Sequence, residues 1–257
     1  MSSACVSNWS KHQHGMTFIE LAVVLLVIAI LSLSVSSAFI STNEAQSRNE
    51  ALQYASQVQA SIRAYALRNG RLPCPAIDKR GYESRVGQAC MAGLQLGFVP
   101  YVALGLQMPS ESVFARYAVF RIPNATDPLL DIDLADARER TGDSAGEPLH
   151  MHVTDLIAAL LRINSSAAVT TSPYLTGDGD AAGVMDCVAN RVSSVAYWLT
   201  LPMTDANSDG DRLDGPNTLT GLCASYPSAK TTAQFDDLVI SETPLQLAGW
   251  LRSSVQQ

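Results

Sequence analysis

The sequence predicts an α+β protein: a long N-terminal α-helix, its first half membrane-spanning, packed on a mainly antiparallel β-sheet globular domain. Three observations predict it. No Gly or Pro occurs between Gly15 and Gly70. Apolar residues surround the first part of that stretch and form one stripe along the second. Beyond Gly70, short β-branched and aromatic runs are separated by Gly, Pro and polar residues, which favours strands joined by turns.

Residues 1–15 form a short polar leader with Lys11, His12 and His14. Phe18 to Ile40 follows, and a hydrocarbon core of about 30 Å takes roughly 20 apolar residues as helix. The one ionisable side chain in that run is Glu20. At the centre of such a helix an acid costs about 2.5–3.5 kcal/mol on insertion scales and marks a functional site with a partner. Glu20 lies near one end, where the cost is lower, but it still calls for a cation. In a single-pass anchor another copy of the chain is the best source. Cleavage after Gly15 frees an α-amino group on Met16, and a neighbour shifted along the membrane normal sets its amine against this carboxylate. Lys11 ahead of the run places the leader in the cytoplasm and the bulk of the chain in the periplasm.

From Thr42 the helix changes character. Ala51, Tyr54, Ala55, Val58, Ile62 and Tyr65 recur at three- and four-residue spacing, with Glu44, Arg48, Glu50, Arg63 and Arg68 mostly off that stripe. Unbroken to Asn69, the helix reaches roughly 80 Å, and Gly70 stops it. The expected organisation is a leader over 1–15, a helix over 16–69 with its transmembrane part at about 18–40, and a globular domain over 70–257. Arg71 to Ala76 carries two prolines and reads as a fixed, extended connector. Ala115 to Ile122, Ser194 to Leu201 and Phe235 to Ile240 read as strands. Thr154 or Asp155 caps a helix over Leu156 to Ile163. Pro244 to Arg252 forms a short terminal helix. Arg138 to Pro148 reads as an exposed loop, and Asp131 and Asp133 as part of a half-exposed strand.

The segment Gly15-Met16-Thr17-Phe18-Ile19-Glu20-Leu21 resembles the processing site of type IV prepilins with a class III leader and of type II secretion pseudopilins. The resemblance implies cleavage between Gly15 and Met16 by prepilin peptidase and N-methylation of Met16. It also implies an assembly role for Phe18 and Glu20, with Glu20 in place of the family's glutamate at the fifth mature position. The implied partners are prepilin peptidase, other pilin or pseudopilin subunits, an inner-membrane assembly platform and membrane lipid. The implied location is the bacterial inner membrane, single-pass, with the C-terminal domain periplasmic and able to enter a pilus or pseudopilus. The Leu72-Pro73-Cys74-Pro75 element, Gly97 to Leu106 and Phe235 to Ser241 resemble a pilin-like subgroup. Between Pro123 and Asn190 the sequence departs from that pattern, so no site there is carried over.

Of five cysteines, leader removal takes away Cys5 and leaves Cys74, Cys90, Cys187 and Cys223. An even set in an oxidising compartment fits a disulfide framework. Three pairings are possible, and proximity favours Cys74–Cys90 and Cys187–Cys223. No CxxC occurs, which disfavours zinc. The net charge of −7 without Lys/Arg clusters argues against direct nucleic-acid binding.

Asp205, Asn207, Asp209 and Asp211 alternate around Gly210 like the start of a calcium loop. Pro216 stands where a bidentate Glu is expected, so a solvated acidic turn is the alternative. His150 and His152 share a face if the segment is a strand, without a convincing third metal ligand beyond Asp155. Asp236 and Asp237 read as a turn or strand start bonding backbone amides. No GxxxxGK[ST] phosphate loop and no GxGxxG fingerprint appears. The sequence therefore points to a non-enzymatic assembly protein without a cofactor, calcium excepted. The expected role is a minor structural subunit of a type IV pilus or type II secretion pseudopilus. The alternative is an uncleaved, membrane-anchored periplasmic binding module that uses the helix only as a tether.

Overall fold

The computed structural model describes residues 18–110, 114–124, 126–127, 130–142, 152–164, 167–177, 185–206, 208–218, 220–232 and 234–256, the side chains of 33–44 excepted. The chain divides into two units, Met1–Ser47 and Arg48–Gln257. One helix, α1 (Phe18–Asn69), contributes to both. In the first unit its opening turn carries Glu20, where a negative charge complements the helix dipole. Every side chain from Phe18 to Ser32 is exposed, Phe18 to 86%. Ser32 donates to the Ile28 carbonyl at 2.8 Å, which satisfies a hydroxyl in apolar company. Among the described residues no helix is long and apolar enough to cross a membrane. Side chains 33–44 lie outside the described ones, and there the sequence continues the apolar run through Leu33, Val35, Phe39 and Ile40.

In the second unit the expected stripe is the buried face of α1. Ala55, Val58, Ile62, Tyr65 and Ala66 enter the main core, with Ala51 and Tyr54 packed at its margin. Arg63 is not idle on the outer face: it bonds Glu242 at 2.7 Å and lies over the Trp250 ring. The helix ends in an αL cap. Gly70 has φ +60° and its N–H reaches the Ala66 carbonyl at 2.9 Å.

Arg71 to Ala76 is extended, as expected, and wholly buried. Leu72 N–H bonds the Leu134 carbonyl, and Tyr117 donates its hydroxyl proton to the Pro73 carbonyl. Ala76 pairs with Phe98. Glu83 accepts from the Cys74 N–H at 2.7 Å and pairs with Arg71 at 2.7 Å. Disulfides join Cys74 to Cys90 and Cys187 to Cys223, with Cα separations of 5.6 and 5.9 Å. Proximity selected both pairs correctly.

After the small hairpin of β1 (Arg85–Val86) and β2 (Ala89–Cys90) comes the main sheet. It is four-stranded and antiparallel, from β3 (Leu96–Phe98), β4 (Arg116–Val119), β7 (Tyr197–Leu201) and β9 (Leu238–Glu242), in the order β3-β4-β7-β9. A second sheet of β5 (Tyr174–Thr176), β6 (Arg191–Ser194) and β8 (Cys223–Ala224) has the order β6-β5-β8, with β5 and β8 parallel. Two further helices are α2 (Val153–Asn164) and α3 (Pro244–Val255), which pack together.

The main sheet is buried on both faces. Tyr117, Val119, Tyr197 and Leu199 join the helices' core, while Ala118, Trp198 and Val239 join Leu175 and Ala224 of the second sheet. That alternation is the period of two expected along a strand. The second sheet is an addition to the expected helix-on-sheet arrangement. Ser194 to Leu201, expected as one strand, is two: Val195 and Ala196 carry the chain from one sheet to the other. The strand expected from Phe235 begins at Leu238, and the one expected over 115–122 spans only Arg116–Val119.

Two readings of charge are corrected. Asp131 and Asp133 form no strand and are fully buried, and Arg140, expected in an exposed loop, is 1% exposed. Arg140 bonds Asp131 at 2.8 Å, and Arg121 clasps both oxygens of Asp133. Helix α2 starts at Val153, so Asp155 lies inside its first turn. Its carboxylate reaches back to the N–H groups of His152 and Arg140. His150 lies outside the described residues, and His152 Nδ1 is 3.5 Å from Asp155.

Candidate functional site

Two regions carry candidate functional residues. The first is the acidic segment after β7. Asp205 accepts from the N–H groups of Asp209 and Gly210, Asp209 from Asp211, and Asp211 from Leu213. These three acids spend oxygens on turning their own backbone; Asn207 lies outside the described residues. The carboxylates that converge among the described residues are Asp214, Asp236 and Asp237, each with an oxygen within 4.8 Å of the others.

Sheet register explains the convergence. Leu201 ends β7 opposite Leu238, which opens β9. The chain leaving β7 therefore runs beside the two acids that precede β9. Asp236 accepts from the Thr204 N–H at 3.1 Å. Asp237 Oδ2 accepts from Asp214 N–H at 2.8 Å and from Asn217 Nδ2 at 2.9 Å. Asn217 is fixed in turn by the Ser225 N–H. The expectation that Asp236 and Asp237 bond backbone amides is met. Asp214 was not singled out in the sequence, because its partners lie more than twenty positions away. Burial pushes the Asp237 carboxyl up to about 7; the Asn217 and Asp214 donors pull against that, and the neighbouring Asp214 and Asp236 charges add to it.

The second region is the N-terminal segment. Gly15 and Met16 lie outside the described residues; Phe18 and Glu20 open α1, both exposed. From Phe18 to Leu31 the exposed surface of α1 is apolar apart from Glu20. The prokaryotic N-terminal methylation motif matches residues 10–36. This match supports a prepilin-type N-terminus of the type IV pilin-like kind, with a class III leader. The match spans the leader and the start of α1. No curated protein and no solved structure matches the chain.

One pattern elsewhere in the chain bears on catalysis. Gly142-Asp143-Ser144-Ala145-Gly146 has the GxSxG spacing of a nucleophile elbow. An elbow sits on a turn from strand to helix. Residues 137–142 are irregular chain with no strand leading in, and 143–151 lie outside the described residues.

Proposed function

We propose that this prepilin is a low-copy structural subunit of a type IV pilus or a type II secretion pseudopilus. The observation that carries the reading is the methylation motif over residues 10–36, joined to an exposed apolar helix segment over 18–32 bearing one acid, Glu20. Prepilin peptidase cuts between Gly15 and Met16 and methylates the new terminus. The mature chain stays in the inner membrane through residues 18 to about 40, with 70–257 in the periplasm. The assembly platform then moves it into a filament of pilin-like subunits.

The driving chemistry is charge pairing in a low dielectric. An isolated carboxylate among lipid tails is unfavourable, and an α-ammonium brought alongside by a neighbour relieves it. Apolar side chains around Glu20 then pack helix on helix in the filament core. The two disulfides support an oxidising compartment. The size of the globular unit supports a minor rather than a major subunit. The role is structural, not catalytic.

Intact-mass measurement of protein extracted from membranes tests the reading. The expected product lacks residues 1–15 and carries one added methyl group and two disulfides. A full-length product with the leader attached overturns it in favour of an uncleaved tether. Gly15→Trp should block processing. Glu20→Ala should leave insertion and cleavage intact but reduce incorporation into sheared filaments at least tenfold; unchanged incorporation counts against the pairing.

A further inference from the structure

We infer that the Cys74–Cys90 disulfide is a thiol-exchange site with a fixed direction: a partner thiol joins Cys90, and Cys74 departs as a thiolate held by Arg71. The inference is independent of the filament reading. Three observations carry it. Arg71 Nη1 lies 3.8 Å from Cys74 Sγ. Cys90 Sγ lies 3.4 Å from the Ala135 carbonyl oxygen. Cys74 is fully buried, whereas Cys90 is 5% exposed and follows the exposed run Gly87-Gln88-Ala89.

These contacts sort the two sulfurs once the bond is open. A guanidinium donates to a thiolate and offsets its charge. A carbonyl oxygen only accepts, so it favours the protonated thiol that donates to it. The nearby carboxylates do not distinguish the sulfurs. Glu83 accepts from the Cys74 N–H and is paired with Arg71 and Arg85. Asp136 accepts from the Cys90 N–H and lies 3.5 Å from Arg121. Arg71 is itself fixed by Glu83 and by the Leu72 and Ala135 carbonyls, so it stays beside Cys74.

Exchange then has one favoured course. The partner's thiolate attacks Cys90 Sγ, a mixed disulfide forms there, and the Cys74–Cys90 bond breaks with its electron pair on Cys74. The partner's second thiol then attacks its own sulfur in the mixed disulfide, and its proton passes to the departing Cys90. Two electrons leave the partner, a dithiol that becomes a disulfide, and both cysteines end reduced. Run backward with an oxidised partner, the last step is attack by Cys74 on the mixed disulfide at Cys90. The partner class is a thiol–disulfide oxidoreductase. The bridge it handles ties the connector after α1 to β2.

The test uses the full chain in detergent without denaturant, with tryptophan fluorescence following the fold. Samples partly reduced in glutathione buffer are quenched with acid, and the mixed disulfide is located by peptide mass mapping. Glutathione is expected on Cys90 in at least tenfold excess over Cys74. Cys74→Ser should accumulate that adduct, because the resolving sulfur is gone, and Cys90→Ser should form at least tenfold less. Arg71→Gln should slow closure of the bridge from the Cys90 adduct at least tenfold at about pH 7, and much less at about pH 9, above the ordinary thiol value. Arg71→Lys should close at nearly the wild-type rate at both. A mixed disulfide on Cys74, or equal labelling of the two serine variants, overturns the direction. A closure deficit in Arg71→Gln that persists at about pH 9 overturns the thiolate role and leaves Arg71 a packing part. Absence of any adduct while the fold persists overturns exchange altogether and leaves a bridge inert until unfolding.

Discussion

Glu83 gathers the exit of α1 around one carboxylate. It accepts from Arg71, from the Tyr65 hydroxyl and from the Cys74 N–H. Burial pushes its carboxyl up, but the Arg71 hydrogen bond and charge, with the Cys74 and Tyr65 donors, outweigh that and hold it below its ordinary value. A depressed acid stabilises the fold fully above its unfolded value of 4.5. That contribution is lost as pH falls through the lower folded value. Melting curves of wild type and Glu83→Gln from about pH 7 to about pH 3 should therefore converge at the acid end; a gap that widens there contradicts the pairing. Arg71→Met removes the close cation of buried Glu83, leaving Arg85 at 3.9 Å, and should destabilise by about 3–5 kcal/mol in urea titrations. Gly97 is equally constrained: a Cβ there would lie 2.3 Å from the Ala76 carbonyl oxygen. Gly97→Ala should cost about 1–3 kcal/mol by the same assay. At this scale the sequence was partly legible. It marked Arg71 to Ala76 as fixed, yet gave no sign that Glu83 fixes it. It read Asp131, Asp133 and Arg140 as surface groups, because their mutual neutralisation appears only when remote segments meet.

Helices were more legible than strands, for a physical reason. A helix closes its hydrogen bonds within a few residues, so its signals are local. The terminal helix shows this: Thr243 caps α3, Gln246 bonds back to complete the capping box, and Pro244 opens the first turn. Thr243→Ala should lower stability by about 1 kcal/mol, read as a lower urea midpoint with an unchanged slope. Strand boundaries depend instead on partners far along the chain. Nothing in Ser194 to Leu201 announces that Ser194 pairs with Tyr174 while Tyr197 pairs with Val119. The same non-locality hid the acidic cluster. Asp205, Asp209 and Asp211 stood out by spacing, whereas Asp214 joins Asp237 only through the β7–β9 register.

For the whole molecule the strongest signals lay at the two extremes of polarity. The apolar run with Glu20 identified the prepilin segment, and the cysteines identified the cross-links. Both disulfides should contribute, each by about 2–4 kcal/mol. Reductant is therefore expected to lower the urea midpoint of the globular unit, and a midpoint indifferent to reductant would contradict a structural role. The Cys74–Cys90 bridge has a mechanical consequence as well. Tension entering through residues 48–69 meets Cys74 just past the helix end and crosses directly to Cys90 through sulfur. The intervening stretch, a sequence separation of 16, is bypassed and can release no slack. A subunit pulled along its helix would yield elsewhere first, at contacts held only by packing and hydrogen bonds.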